Sequence, residues 1–175
     1  MHDTGQLARF EQAILPHLDA AYNLARWLTR RDQDAEDVVQ EAYLRAFQFF
    51  GSFRGDDGRT WLLTIVRNTC YTWLHKNRSR EQTVSFDEEQ HGLTLAEQGP
   101  EAHLLQAEDA EMLYGALREL PTEFREVVVL RELEELSYKE IAGIAGIPVG
   151  TVMSRLARGR ERLQEILNRR VKEDI

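Results

Sequence analysis

The sequence predicts an all-α protein of two small helical domains joined by a flexible acidic linker. Apolar residues recur at i, i+3 and i+4 along most of the chain, with no stretch of two-residue alternation that would mark a strand. A polar, acidic, unpatterned stretch from Ser79 to Pro100 interrupts that periodicity. Near the C-terminus, two short capped helices follow each other in helix–turn–helix order. The chain has 175 residues and is 42% hydrophobic, which fits one large or two small cores of this kind. The division expected is residues 1–80, a linker at 81–100, and residues 101–175.

In order, Gln6 to Ile14 and His17 to Thr29 read as helices separated by Pro16. Asp34 is placed to cap a longer helix reaching about Phe50, with Ala35, Val38, Val39, Ala42, Ala46, Phe49 and Phe50 as its core stripe. The turn formers of Gly51 to Gly58 make a loop in which Asp56 and Asp57 are turn and cap residues. Another helix from Thr60 to about Asn77 buries Leu62, Ile65, Val66, Thr69 and Trp73. Beyond the linker come helices at about Glu101 to Glu119 and Glu123 to Glu132, the second begun by Pro121-Thr122. In the helix-turn-helix, Ser137 and Glu140 form a capping box, Gly146 ends the first helix, and Pro148 suits the first turn of the second. There, Val149, Val152, Leu156 and Leu163 face a core, while Thr151, Ser154, Arg155, Arg158 and Arg162 point outward.

The net charge of −8 argues against a strong long-range pull toward phosphate, so charge is more informative by segment. No acid occurs from Arg59 to Arg80, no Lys or Arg from Glu81 to Leu117, and bases prevail again from Lys139 to Lys172. Two basic working ends flank an acidic connector. Cys70, the lone cysteine, excludes an internal disulfide and any multi-cysteine zinc set, and is read as a partly buried helical thiol. No metal, cofactor or small-molecule substrate is expected, and the scattered histidines give an enzyme no constellation. Without an apolar run of membrane-spanning length or a signal peptide, the simplest location is the cytoplasm.

Three faces have the composition of binding sites. Short hydroxyls and arginines near the start of the last helix match what a DNA major groove presents, and turn, caps and outward arginines agree on this reading over a merely solvated hairpin. On the Asp34 helix, Asp37, Glu41, Leu44 and Gln48 line up with Gln40 alongside, a face that spacing alone reads as solvated. On the next helix Arg67, Tyr71, His75 and Arg78 share a face with Asn68 beside them. Arginine, an aromatic ring and an amide suit single-stranded nucleic acid; a basic face with tyrosine partly in the core fits equally well.

Asp37-Val-Val-Gln-Glu-Ala42, Ser52-Phe-Arg-Gly-Asp56, Thr60-Trp-Leu62, Arg67-Asn-Thr69, Leu120-Pro121, Leu136-Ser-Tyr-Lys-Glu-Ile-Ala142 and Gly150-Thr-Val-Met-Ser-Arg-Leu156 together resemble bacterial sigma factors of the extracytoplasmic-function (ECF) type. The resemblance runs over nearly the whole chain, in the family's order. It implies a transcription initiation factor without enzymatic activity that binds RNA polymerase core. In that family, Asp37, Gln40, Glu41 and Leu44 match the face docking on the clamp coiled coil of the largest subunit. Phe53, Arg54, Arg59, Thr60, Trp61, Arg67, Asn68 and Tyr71 match the region reading the minus-ten promoter element as unpaired strand, with Phe53 and Asn68 holding a flipped base. A base is readable on its pairing edge only outside the stack, and an aromatic–amide pocket offsets unstacking of a few kcal/mol. Thr151, Ser154, Arg155 and Arg158 match residues on the duplex minus-thirty-five element, and the acidic linker matches a segment threading through the polymerase. The resemblance further implies an anti-sigma factor, often membrane-bound, that holds the protein at the inner membrane face without direct membrane insertion. A stand-alone helix-turn-helix regulator is the alternative, and it leaves the faces of the first half without a role. Because the acidic, weakly patterned stretch from Glu81 to Pro100 cannot bury enough apolar surface to offset its ordering entropy, the halves should be joined flexibly and pack together only in a complex with an inhibitor or with core.

Overall fold

The computed structural model describes residues 3–77 and 103–173, so the linker expected at 81–100 lies outside the described residues. The first half contains α1 (Asp3–Ile14), a 3-10 turn (Leu15–His17), α2 (Leu18–Thr29), α3 (Asp32–Gln48), a second 3-10 turn (Phe50–Ser52) and α4 (Gly58–Lys76). Helices α2, α3 and α4 pack on one another around Leu24, Leu28, Ala35, Val38, Ala42, Leu62, Leu63 and Val66, all essentially solvent-free. Phe10 of α1 fills the remaining side, meeting the rings of Tyr43, Phe47 and Phe50 edge-on at 5.1 to 5.3 Å. Edge-to-face contact places positive ring edges against negative faces, adding to the area buried.

Local chemistry shifts two helix starts. Arg31, not Asp34, precedes α3 and makes no side-chain cap; Asp34 lies within the first turn, buried, where its charge suits the positive helix end. At α4, the Asp57 carboxylate accepts from the Thr60 amide at 3.0 Å, so the helix begins at Gly58 rather than Thr60. Phe49, expected in the core stripe of α3, is 57% exposed, because the helix ends at Gln48 and the chain turns away. Cys70 is fully buried rather than partly so.

The second half contains α5 (His103–Glu119), α6 (Thr122–Val128), a π turn (Val129–Leu133), α7 (Tyr138–Ala145) and α8 (Val149–Glu173). The expected helix 123–132 is thus broken: the Glu134 amide reaches the Val129 carbonyl five residues back, and Glu135 adopts φ 57°. That wider turn brings Leu136 wholly into the core. Gly159 sits where α8 crosses α6. A Cβ there would stand 2.9 Å from Val128 Cγ2, a separation only glycine permits without movement. Val149 is 40% exposed instead of buried, since the core-facing series of α8 starts one turn later at Val152. Helix α8 continues well past Leu163: Ile166 is buried, and Arg169 and Arg170 both pair with Glu119 of α5.

The halves pack on each other within the single chain, which corrects the expectation that they meet only in a larger complex. Helix α4 lies against α7, and α2 against α6. Trp27 meets Tyr114 edge-on at 5.4 Å, and Arg30 donates to the Arg118 carbonyl. One hydrophobic cluster runs through both halves. The connector's shortage of apolar surface does not decide the packing, because the interface is made by the helices themselves.

Candidate nucleic-acid and polymerase interfaces

Helix α3 buries Val38, Val39, Ala42 and Ala46 and turns Asp37, Gln40, Glu41 and Leu44 to solvent. Leu44 is 67% exposed, and Glu41 is tied to Arg45 one turn on at 2.9 Å. Phe47 and Phe49, at the end of the same helix, are also exposed, so carboxylates give way to an apolar end. A leucine left open on a helix with a well-filled core stripe gains nothing intramolecularly; the face has the composition of a contact surface.

After α3 the chain folds its aromatics together. The Phe53 ring stacks on Phe50 at 5.5 Å and leans on Trp61 at 5.2 Å, leaving all three rings half-buried. The exposed Arg54 guanidinium donates to the carbonyls of Gly51 and Phe53, closing the loop. Phe53 therefore presents one edge of a rigid aromatic wall.

Along α4 the side chains assigned to one nucleic-acid face are engaged with the second half of the chain. Arg59 donates to the Glu134 carbonyl at 2.7 Å, and the Thr60 hydroxyl approaches the Glu140 carboxylate at 3.4 Å. Arg67 donates through Nε to Glu126 at 2.7 Å, while Tyr71 donates its hydroxyl to the other oxygen of the same carboxylate at 2.5 Å. The Arg67 guanidinium lies over the Tyr71 ring, 3.8 Å from its centre. Burial first, and then the negative charge of Glu126, push the Tyr71 phenol well above its ordinary range, so it stays a neutral donor. Asn68 remains exposed, accepting a long hydrogen bond from Arg67 at 3.3 Å. His75 is exposed, while Arg78, placed on the same face, lies outside the described residues. Cys70, on the buried side of α4, is held far above the ordinary thiol range by burial, so it is not a nucleophile.

In the helix-turn-helix, the Ser137 hydroxyl accepts from the Glu140 amide at 3.1 Å while the Glu140 carboxylate accepts from the Ser137 amide at 3.0 Å, forming the expected capping box. Gly146 closes α7 at φ 68°. Pro148 stands just before α8, where its carbonyl receives the first helical hydrogen bonds. Ser154 and Arg158 are exposed on α8 and Thr151 and Arg155 partly so, on the side opposite Val152 and Leu156. Arg160, one turn beyond, is held by Glu132 at 2.6 Å. Arg162 is exposed.

Two adjacent residues that the sequence reading passed over, Arg125 and Glu126, are the buried charges of this arrangement, each about 1% exposed or less. Arg125 turns back on its own half and donates to the carbonyls of Arg118 and Leu120, satisfying the end of α5. Glu126 points to α4. The available signal was an Arg-Glu pair opening directly into Val127-Val-Val-Leu130, where helical spacing leaves no outward side for it.

Comparison with known proteins identifies these surfaces as parts of one architecture. A model of sigma-70 region 2 matches residues 13–80, and a model of sigma-70 region 4 matches residues 110–163. The chain is 33% identical to the RNA polymerase sigma-H factor of Pseudomonas aeruginosa, over 93% of this chain and 88% of that protein. It is 38% identical to the ECF RNA polymerase sigma-E factor of Escherichia coli K12, over 73% of this chain and 71% of the other. With the ECF sigma factor SigE of Mycolicibacterium smegmatis the identity is 32%, and the chain spans only 64% of that relative's length. Among solved structures, the sigma factor RpoE of Bartonella quintana in complex with the anti-sigma factor NepR superposes with a TM-score of 0.74 at 32% identity. That match covers 91% of this chain and 97% of the other. CnrH in complex with the cytosolic domain of CnrY gives 0.60 at 26% identity, over 91% of this chain and 87% of the other.

The chain belongs to the ECF sigma factors of bacterial RNA polymerase. Members of that family are transcription initiation factors, not enzymes. The match over residues 13–80 accounts for the half that a stand-alone helix-turn-helix regulator would leave without a role. Among the described residues, no helix is long and apolar enough to cross a membrane.

Proposed function

We propose that this chain directs RNA polymerase core to promoters through three surfaces divided between residues 1–80 and 101–175, with 81–100 as the connector. Asp37, Gln40, Glu41 and Leu44 dock on the clamp coiled coil of the largest core subunit. Phe53, Arg54, Arg59, Thr60, Trp61, Arg67, Asn68 and Tyr71 receive the melted minus-ten strand, with the Phe53–Trp61 wall and Asn68 holding an extruded base. Thr151, Ser154, Arg155 and Arg158 read the duplex minus-thirty-five element, arginine being suited to guanine O6 and N7 or to phosphate.

The observation that carries this reading is the presence, in one chain, of an open carboxylate–leucine face on α3 and an open arginine–hydroxyl face at the start of α8. The first spends one carboxylate on Arg45 of its own helix and leaves Leu44 to solvent, and the second has groove-reading chemistry. An anti-sigma factor completes the scheme, supported by the likeness to RpoE, whose structure contains the anti-sigma factor NepR. Such a partner could also retain the protein at the inner membrane face. The test is promoter-directed transcription with purified core: Glu41→Lys combined with Leu44→Ala should abolish co-purification with core and lose transcription while helix content stays unchanged. Undiminished core binding by that variant would overturn the α3 assignment.

A further inference from the structure

Along the first turns of α8 the exposed side chains fall into two rows. Gly150, Ser154 and Arg158 follow one another at helical spacing, and so do Val149, Met153 and Ala157, each one residue behind them. The first row carries a hydroxyl and a guanidinium and belongs to the face proposed to meet duplex. The second row is apolar and open. Val149 is 40% exposed and Met153 is 53% exposed, although the core side of the helix is already filled by Val152, Leu156 and Gly159. Side chains of a helix lean toward its N-terminus, so Met153 is placed to cover the turn that Val149 begins, and the two form one patch at the end of α8. Further along, the outward side turns acidic at the exposed Glu161 and Glu165, whose charge repels phosphate and favours approach of a duplex along the first turns.

A strip this narrow, bordered by Ser154 and Arg158, is poorly matched to a protein partner, which would need a broader apolar centre. It is well matched to the apolar group that base edges present in the major groove, the C5-methyl of thymine. The unbranched, polarizable methionine side chain adapts readily to such a contact. We propose that Met153, supported by Val149, is a specificity-determining residue of α8: it packs on a thymine methyl of the minus-thirty-five duplex, beside the bases or phosphates met by Ser154 and Arg158. The contact adds an apolar readout to a face whose other groups act through hydrogen bonds and charge. This inference rests on the reading of α8 given above.

The test uses holoenzyme and a promoter that it transcribes, with each thymine of the minus-thirty-five element replaced in turn by deoxyuridine. That exchange removes the methyl and keeps the hydrogen-bonding edge. From the burial of one methyl group, promoter binding should weaken about three- to fivefold at one or two positions. Met153→Ala holoenzyme should lose most of that difference between the thymine and deoxyuridine promoters, and adding Val149→Ala should remove the rest. Both side chains are exposed, so helix content should not change. A deoxyuridine scan without any penalty, or a penalty undiminished in Met153→Ala, overturns the proposal. If Arg155→Ala or Arg158→Ala holoenzyme nevertheless alters promoter preference, the reading of α8 stands without Met153; if both keep the parent's preference, that reading falls with it.

Discussion

The two surfaces proposed to read DNA both carry arginine beside hydroxyl groups and are left in opposite states. At the start of α8, Ser154 and Arg158 stand in solvent, while Arg160, further along, is tied to the Glu132 carboxylate. On α4, Arg67 and Tyr71 are drawn into the interior by one buried carboxylate. The duplex-reading surface needs only a rigid helix end, which a capping box and an αL glycine supply locally. The surface proposed to read single strand carries a guanidinium and a phenol that Glu126 of the other half satisfies, while Asn68 beside them stays exposed. The difference teaches that composition decides what a surface can bind, while the neighbouring half decides when it is available.

The comparison is broken most severely by removing the buried acid. Glu126→Ala strands Arg67 and should cost the closed arrangement about 3–5 kcal/mol, read as an earlier first transition in urea with α8 still folded. A single unshifted transition would show that Glu126 holds nothing. Emptying the core beneath the other surface acts next: Leu156→Ala removes a side chain that is 1% exposed and should destabilise the second half by about 2–5 kcal/mol. Binding of minus-thirty-five duplex by holoenzyme should fall with it, and unchanged thermal stability would contradict the packing described.

Sharper still are changes that leave the fold alone. Arg155→Ala or Arg158→Ala should cost about 1–3 kcal/mol at one base pair if the side chain grips a guanine, or weaken all sequences alike if it meets phosphate. Transcription from promoter variants separates these, and wild-type preference in both variants would remove α8 from recognition. Ser137→Ala should cost about 0.5–2 kcal/mol by opening the capping box, visible as a modest fall in melting temperature. The smallest effect concerns pH. Burial raises the Glu119 carboxyl, but hydrogen bonds and charge from Arg170 and Arg169 outweigh it and hold the group below the usual glutamate range. A depressed folded-state value means that the stabilisation is present above the ordinary value of ~4.3 and lost as pH falls through the folded value. Fraying of the end of α8 on acidification should disappear in Glu119→Gln.

Much of this was legible in the sequence because the signals are local. Ser137 with Glu140, Gly146, and the period of Val38, Ala42 and Ala46 each involve residues within a turn or two of one another, and physics at that range depends little on the rest of the chain. Asp37, Gln40, Glu41 and Leu44 were readable as an outward face for the same reason, though their role came only with the family resemblance. The misses are where a distant partner decides. Arg67 and Tyr71 share a helix face by spacing, yet whether that face is wet depends on Glu126, 59 and 55 residues away. Phe49 and Val149 fit an apolar stripe by period but fall where a helix ends or begins, so the core does not reach them. The π turn arises where a run of valines must be buried on several sides and Leu136 brought inward, a demand no single helical period expresses.

The packing of the two halves on each other in the free chain, held at its centre by Glu126, is open to a direct distance measurement. Spin labels at Thr72→Cys on α4 and Glu123→Cys on α6 occupy exposed positions beside the Tyr71 and Glu126 contact, and buried Cys70 will not take label. Pulsed dipolar spectroscopy should give one short distance for the free factor, with Glu126→Gln shifted toward longer distances because the buried ion pair with Arg67 is lost. A long distance in the free factor, or the same short distance in Glu126→Gln, would contradict the account.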